Sequence, residues 1–184
     1  MMGTMSELPT SVQETDGQIF SVDLAQLEDA EVLAEILSSA IQNKSNHNDR
    51  AWGAPPHPIE EVYKDIEAGN IYIARLGNNP VGTLKLVWED EVIWGKQPPI
   101  AAYVHQLAVA SGYHGLDLGK QLLDWAGLQA SSNDRNLLRI DIPPGNEGLK
   151  NYYEKQGFKW VKDREVRAPH KTYTAVLCEK SLLD

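Results

Sequence analysis

Several features that define other classes of protein are missing from this sequence of 184 residues. It contains one cysteine, Cys178, which excludes an internal disulfide framework and a four-cysteine zinc site. No apolar run approaches the roughly 18 residues that a membrane-spanning helix requires. The N-terminus lacks the basic and then apolar order of a secretory signal peptide. These absences predict a cytoplasmic protein without a membrane partner.

The charge balance is acidic, with 26 Asp and Glu against 17 Lys and Arg, a net charge of −9 when histidine is neutral. A field of that sign repels phosphate backbones, so nucleic acid is not expected as a partner. The acidic surface suits a cationic partner such as an amine, and it is equally consistent with solubility alone. Hydrophobic residues make up 42% of the chain, which is ordinary for a globular domain.

The polar, aperiodic residues 1–17 predict a flexible N-terminal arm, and residues 18–184 predict a single domain. Met2 and Met5 leave the true start open. Apolar periodicity and turn residues predict a mixed sheet flanked by helices, an α/β fold class. Strands are expected at 19–24, 71–76, 81–88, 100–109, 137–142, 158–166 and 172–177, and helices after Asp29 and at 59–68, 118–130 and 146–156.

The segment from Leu107 to Lys120 predicts a site for an anion. It reads as the end of a strand, a glycine-bearing turn at 111–117 and a helix that begins near Leu118. Unpaired N–H groups and the positive end of the dipole at a helix N-terminus attract groups such as pyrophosphate. Joints of this kind are common, so the segment alone is also consistent with a plain turn.

A second segment, 146–158, joins a helix N-cap at Asn146, two tyrosines at 152 and 153, and a glycine stop at Gly157. A tyrosine hydroxyl has an ordinary pKa of about 10, so it stays protonated at neutral pH and can donate to a departing thiolate. One of the two tyrosines is expected to pack inward instead.

Together, in this order, the two segments resemble the GNAT superfamily of acyl-CoA-dependent N-acetyltransferases. The family's first motif, [Gln/Arg]-x2-Gly-x-[Gly/Ala], corresponds to His114, Asp117 and Gly119. The second, Asn-x2-[Ala/Leu]-x2-aromatic-Tyr-Glu-Lys-x-Gly-Phe, is matched throughout 146–158. The resemblance spans roughly residues 19–178. It implies a mixed, mostly antiparallel sheet of six to seven strands with splayed central strands, flanked by about four helices.

The resemblance implies acetyl-CoA as co-substrate and no metal. The acyl carrier would lie where the strand at 101–109 parts from the strand at 137–142, with its pantetheine bound by backbone at Leu107 and Val109. Asn146 would line the cleft near the pantetheine. The pyrophosphate would rest on N–H groups of the following segment, whose residues are His114, Gly115, Asp117, Leu118, Gly119 and Lys120.

The resemblance further implies direct transfer from the thioester to a neutral amine. A backbone N–H near Leu107 would stabilise the oxyanion and Tyr153 would protonate the CoA thiolate, which leaves Cys178 as a buried bystander. A carboxylate at Asp117, where the family has glycine, would cap the helix and compete with pyrophosphate, unless it points away. His114 replaces the usual Gln or Arg.

The general base is expected among the residues of the strand at 101–109. Strand alternation predicts Tyr103, His105 and Leu107 on one side, and a histidine with a pKa near 6.5 can take the amine proton. His105 is therefore the predicted base, with Asp141 and Tyr103 as alternatives; hydrogen bonding alone is the other interpretation of His105. The histidines His47, His57 and His170 lack metal-ligand spacing and are interpreted as loop residues.

The predicted function is transfer of an acetyl group from acetyl-CoA to a primary amine of a small molecule, by a monomer or a homodimer. Transfer to a protein or peptide N-terminus and a non-catalytic acyl-CoA-binding module remain alternatives. Trp52, Trp88 and Trp94 could contact the acceptor, or could belong to the core or a dimer surface.

Overall fold

Eight strands form one sheet in a computed structural model of the protein, which describes residues 13–15, 18–46, 55–168 and 171–183. The strands are β1 (Gln13–Thr15), β2 (Gln18–Leu24), β3 (Ile71–Leu76), β4 (Asn79–Val87), β5 (Ala101–Val109), β6 (Leu137–Ile142), β7 (Lys159–Ala168) and β8 (Lys171–Ser181). Their spatial order is β1-β2-β3-β4-β5-β6-β8-β7. β5 pairs with β6 in parallel, and the other neighbouring described strands pair antiparallel.

Five α-helices accompany the sheet among the described residues: α1 (Ala30–Asn46), α2 (Ile59–Glu67), α3 (Glu91–Trp94), α4 (Leu118–Ser132) and α5 (Glu147–Lys155). A 3-10 turn at Leu27–Asp29 leads into α1. The mixed, mostly antiparallel α/β architecture confirms the predicted fold class. None of the described helices has the length and apolar character needed to cross a membrane.

The structure differs from the predicted elements at several places, among them β8, which continues to Ser181 beyond the predicted end at 177. β1 lies within the predicted arm and pairs with β2, whereas residues 1–12 and 16–17 lie outside the described residues, so the arm otherwise stays a prediction. α1 continues to Asn46, into the polar segment 43–58 that its three prolines predict to be a loop. The short helix α3 was not predicted, because its four residues are too few to show a helical period.

Apolar side chains cover both faces of the sheet. On one face, the helices α4 and α5 pack against the largest cluster, to which α4 contributes Leu118, Leu122 and Trp125. On the other face, α1 and α2 enclose a second cluster, which includes Leu33 and Leu37. A third, smaller cluster gathers Trp94, Ala101, Tyr103, Val166, Ala175 and Leu177 beside α3. The sheet is therefore held firmly on both sides.

The parallel ladder between β5 and β6 is short. It joins residues 101–103 to residues 137–139, after which β5 continues along β4 to Val109 and β6 continues along β8 to Ile142. A bulge accompanies the separation: the register between β4 and β5 shifts after Thr83, and Gln106 has a φ of +52°. Bulges bend a strand and increase its twist, which carries β5 away from β6. The splayed central strands are thus confirmed.

Core packing on α4 gives a test of this architecture. Leu122 is fully buried beneath the sheet, so Leu122→Ala is expected to lower the free energy of unfolding by about 2–5 kcal/mol. Leu128 on the same helix is 53% exposed, and Leu128→Ala is expected to change it by less than about 0.5 kcal/mol. Urea unfolding followed by circular dichroism measures both. Equal losses in the two variants would contradict the assigned orientation of α4.

Candidate active site

A cavity of about 800 Å³ opens where β5 and β6 part. Its apolar wall on the α4–α5 side is formed by Val104, Leu107, Ile142, Leu149 and Tyr153. Its remaining lining comes from α1, α2, β4, α3, β5, β6 and β8 and is largely polar. The volume lies in the range of sites for small ligands. The cavity therefore has two ends. The apolar end lies where β5 and β6 part, which we call the split, and the polar end, which includes Glu61, His105 and Asp141, is called the polar chamber.

Opposite charges balance along the polar lining. Four carboxylates, Glu61, Glu89, Asp90 and Asp141, contribute to it, together with three lysines, Lys44, Lys85 and Lys171, and two histidines, His57 and His105. Lys85 forms an ion pair with Asp65 of α2. The lining is thus not the purely acidic surface that the net charge of the chain would suggest.

Tyr153 reaches the cavity from α5, with its ring held edge-on by Tyr152 at 5.2 Å and by Phe158 at 5.6 Å between ring centroids. Burial, with smaller contributions from Tyr152 and Asp141, raises the pKa of this hydroxyl above its ordinary value. The phenol therefore keeps its proton at neutral pH and can donate it. Tyr153 therefore lines the cavity in its protonated form, and its role as proton donor stays a prediction.

His105 lies between two carboxylates. Its Nε2 is 3.1 Å from Asp90 Oδ2 and its Nδ1 is 3.4 Å from Asp141 Oδ1. Burial by itself lowers the pKa of the imidazole, but Asp141 and Asp90 together outweigh it and raise the pKa to about 9. At neutral pH His105 is a cation, so its charge state does not suit the predicted role as general base. It suits the alternative, a charged hydrogen-bonding group.

The short helix α3 places Asp90 beside His105. Asp90 Oδ1 accepts a hydrogen bond from the Ile93 amide at 3.0 Å, and Arg164 of β7 donates to the Ile93 carbonyl at 2.8 Å. Trp94 anchors the helix in the third cluster, beneath the Arg139 guanidinium, which lies 4.5 Å from its ring centroid. Trp94 is therefore a core residue, and Trp88 also packs against the largest cluster. Trp52 lies outside the described residues.

The bulge corrects the predicted alternation along β5. Tyr103 belongs to the third cluster, whereas Leu107 packs against the largest cluster, beyond the opposite face of the sheet. Because Gln106 adopts a left-handed conformation, the alternation shifts by one residue after His105. Tyr103 is 2% exposed and its hydroxyl accepts a hydrogen bond from Arg139, which removes it from the candidates for the base.

The predicted anion-binding turn lies on the surface before α4. His114, Gly115, Asp117 and Lys120 are exposed, and Gly115 has a φ of +88°. Asp117 also has a left-handed backbone, with φ +53°, and its carboxylate makes no capping hydrogen bond. The predicted cap at Asp117 was therefore wrong: the residue substitutes for glycine in backbone conformation and leaves the first-turn amides of α4 to other acceptors.

Close packing accounts for the glycine at 119. A Cβ atom there would lie 2.7 Å from the Tyr152 hydroxyl, a distance that real Cβ contacts do not reach. Leu118 is buried in the core beside it. The hydroxyl of Tyr152 thus packs against the first turn of α4, while the neighbouring Tyr153 faces the cavity.

Asn146 caps α5 as predicted, since its Oδ1 accepts a hydrogen bond from the Leu149 amide at 3.0 Å. Of the residues predicted to bind the pantetheine, Leu107 lines the cavity, whereas Val109 and Asn146 do not contribute to its lining. Cys178 is buried, and burial raises the pKa of its thiol to about 11. Its protonated state fits the prediction of a bystander.

Several cavity residues escaped the sequence analysis, and His57 and Gln106 are two of them. His57 was interpreted as a loop residue, yet it is 7% exposed and lines the cavity; His47 and His170 lie outside the described residues. Gln106 also lines the cavity, and its Oε1 is buried without a hydrogen-bond partner among the described residues. A weak signal for His57 was present in the sequence, because this histidine follows Pro55-Pro56 and precedes the apolar period of α2. Nothing in the sequence marked the bulge at Gln106.

Comparison with known proteins assigns the family. A family model described as the acetyltransferase (GNAT) family matches residues 35–158, more than half of the sequence. The chain belongs to the acetyltransferase (GNAT) family. This acetyltransferase is 22% identical over 156 residues to YesJ, an uncharacterized N-acetyltransferase of Bacillus subtilis (strain 168), covering 80% of this chain and 86% of YesJ.

Solved structures show that the acetyltransferase shares its fold with other members. A GNAT family acetyltransferase from Listeria monocytogenes 4b F2365 has a TM-score of 0.72 at 17% identity, with 93% of this chain and 99% of that chain covered. The yncA protein of Salmonella typhimurium, solved with its cofactor acetyl-CoA, has a TM-score of 0.65 at 13% identity, with 90% and 95% covered. Membership makes this chain an acyltransferase.

The protonation of His105 predicts how stability depends on pH. Because its pKa rises from 6.5 to about 9 on folding, the folded acetyltransferase holds this proton more tightly than the unfolded chain. The stabilisation is complete below pH 6.5 and is lost as the pH rises through 9. The difference in unfolding free energy between wild type and His105→Gln is therefore expected to shrink by at most about 3 kcal/mol between pH 6 and pH 10. Urea unfolding across that range checks this, and a pH-independent difference would contradict it.

Proposed function

We propose that this acetyltransferase transfers the acetyl group of acetyl-CoA to a primary amine of a small molecule, by direct attack in a ternary complex. The observation that carries the proposal is the continuity of the cavity. It connects the split between β5 and β6, where Leu107 and Tyr153 lie, with a polar chamber that also contains His105 and Asp141. A thioester at the split and an amine in the chamber would meet inside one continuous cavity.

At the split, the chain supplies groups for the carbonyl and for the sulfur of the thioester, whose carbon–sulfur bond breaks. Gln106 and Leu107 have no paired residue in β4, because the bulge interrupts that ladder. A backbone N–H near Leu107 would bind the developing oxyanion, an interaction that pre-aimed donors make worth several kcal/mol. Tyr153 would give its hydroxyl proton to the leaving sulfur.

On the surface beyond the split, the turn before α4 would hold the pyrophosphate. The amides of His114, Gly115 and the first turn of α4, Leu118, Gly119 and Lys120, would supply donors at the positive end of the helix dipole. Val109 would bind the pantetheine through its backbone. Lys120 forms an ion pair with Asp124, one turn along the helix, so backbone amides are the main donors in this proposal.

The charges of the chamber favour a particular kind of acceptor. The carboxylates Glu61, Glu89 and Asp141 attract an ammonium group, and the cationic side chains Lys44 and Lys171 oppose a second positive charge. An acceptor that carries an anionic group as well as its amine fits this balance better than a polyamine does. The acceptor is therefore proposed to be a small zwitterion of the amino-acid type.

Release of CoA thiol with a panel of acceptors tests the proposed function. The panel contains amino acids, a neutral monoamine, a polyamine and a peptide with a free N-terminus. Amino acids are expected to give the highest kcat/KM. Preference for the peptide would favour an N-terminal acetyltransferase instead. Tight acetyl-CoA binding without thiol release from any acceptor would favour a non-catalytic module and would refute the proposal.

Removal of one hydroxyl tests the proton donor. Tyr153→Phe is expected to lower kcat by about 10²–10³-fold, because the thiolate would leave without its proton, and to leave acetyl-CoA affinity within about twofold. Tyr63→Phe, which removes an exposed hydroxyl from α2, is the matched control and is expected to retain full activity. Steady-state kinetics with the best acceptor and calorimetric titration of acetyl-CoA measure the two effects. An unchanged kcat in Tyr153→Phe would exclude it as the acid.

The carboxylate of Asp117 is expected to weaken CoA binding. Asp117→Gly should tighten CoA by about two- to fivefold, equivalent to about 0.5–1 kcal/mol, because a negative charge leaves the proposed pyrophosphate site. Asp134→Gly is the matched control. Asp134 is also exposed and left-handed, with φ +56°, but it lies just beyond the C-terminal end of α4, so its substitution should leave the affinity for CoA unchanged. Calorimetry at low salt compares them. Unchanged or weaker binding by Asp117→Gly would show that the charge of Asp117 does not oppose CoA binding.

A further inference from the structure

We propose that His57 is the general base of the transfer reaction, accepting through Nε2 the proton that the acceptor amine loses. The proposal rests on the proposed function, because it names the residue that completes the same cavity. His57 lines the polar chamber from the chain segment that leads into α2 and is 7% exposed. Three independent features of its surroundings support this role.

The first feature is the way in which His57 is fixed. Its backbone N–H donates a hydrogen bond of 2.9 Å to Ser38 Oγ, and that hydroxyl donates to the Ala34 carbonyl at 2.6 Å. Both partners lie on α1, so the residue is attached to a long helix that packs against the sheet. The imidazole takes no part in these bonds. The main chain of His57 is therefore held in place by α1, and its buried side chain lines the cavity.

The second feature is an unused nitrogen. Nε2 of His57 is buried and has no hydrogen-bond partner among the described residues. Glu61 Oε2, one turn further along α2, is 3.9 Å away, which is beyond hydrogen-bonding distance. A buried polar atom without a partner costs free energy unless a ligand satisfies it. An N–H group of an acceptor in the chamber would do so.

The third feature is the charge around the ring. Burial is the largest influence and lowers the pKa of His57, and the Lys85 ammonium on β4 acts in the same direction. Glu61 and Asp65 of α2 oppose this shift without overcoming it. Lys44 of α1 also lines the cavity. His57 is therefore neutral at pH 7, and a neutral imidazole is the form that accepts a proton.

His105 differs from His57 in each respect that matters for a base. Both of its nitrogens face carboxylates, and its pKa of about 9 makes it a cation at neutral pH. A cation beside the reacting carbonyl helps to hold negative charge but cannot take up a further proton. The two histidines of the cavity thus have separate roles, with His57 as base and His105 as a fixed positive charge.

The proposed step balances in atoms and protons. The amine nitrogen forms a bond to the thioester carbon, and the proton that it carries passes to His57 Nε2. The carbon–sulfur bond then breaks, and the sulfur receives the hydroxyl proton of Tyr153. Release of the His57 proton to water and uptake of a proton by Tyr153 restore both groups. The net reaction is amine plus acetyl-CoA to amide plus CoA thiol.

The test compares wild type, His57→Gln, His57→Ala and the exposed control Glu60→Gln on α2. Acceptor kcat/KM is measured from pH 5 to pH 9 with the amino acid that the wild type uses best. His57→Gln is expected to lose at least tenfold in kcat/KM at pH 7 and to lose one ionisation from the acid limb of the profile. Added imidazole should restore part of the rate to His57→Ala, and acetyl-CoA affinity should stay within twofold in all variants.

The outcomes separate the inference from the proposed function. Suppose that the wild type releases thiol. An acid limb that is unchanged in His57→Gln, or the absence of imidazole rescue in His57→Ala, would then overturn the role of His57 and leave the proposed function standing. No thiol release by wild type from any acceptor would refute the proposed function, and the inference with it. A variant that loses acetyl-CoA affinity along with its rate would show a structural role for His57 and would also overturn the inference.

Discussion

Beyond Tyr103 and Arg139 the strands β5 and β6 cease to pair, and the remaining features of the site depend on that separation. Neighbouring parallel strands ordinarily satisfy each other's backbone groups along their whole length. Here each strand keeps its outer neighbour, β4 or β8, and only the inner edges part. The cavity and the access of Tyr153 to it follow from this one interruption. Apolar clusters on both faces of the sheet stabilise the strands on either side of the gap.

Side chains of the same type differ in pKa or in orientation at the cavity because their surroundings differ. Two histidines line it, and their surroundings push their pKa values in opposite directions: burial lowers that of His57, whereas Asp141 and Asp90 raise that of His105. Two tyrosines are adjacent on α5, and only Tyr153 faces the cavity while Tyr152 packs on Gly119. Environment, rather than residue type, therefore separates the proposed proton acceptor His57 from the charged His105, and the proposed proton donor Tyr153 from the packing residue Tyr152.

Local backbone irregularities decide which side chains reach the cavity. The left-handed residue Gln106 shifts the alternation of β5, so Leu107 changes face and Tyr103 stays in the core. The four-residue helix α3 turns Asp90 toward His105 and is held there by Arg164 and Arg139 from distant strands. Neither feature has a hydrophobic period long enough to be read from the sequence. Both arise because tertiary packing fixes conformations that local propensity alone would leave undecided.

The sequence by itself determined the strongly periodic parts of this acetyltransferase. The stripe of Leu33 and Leu37, the helix through Leu122, the cap at Asn146 and the motif ending in Gly157-Phe158 each depend on residues close together in the chain, and they predicted the fold class and the family. Only the tertiary structure decided the chemistry of the chamber. The positions of His57, Asp90 and Asp141 around one cavity depend on contacts between elements far apart in sequence. A pKa is set by such neighbours and by burial, neither of which a linear pattern contains.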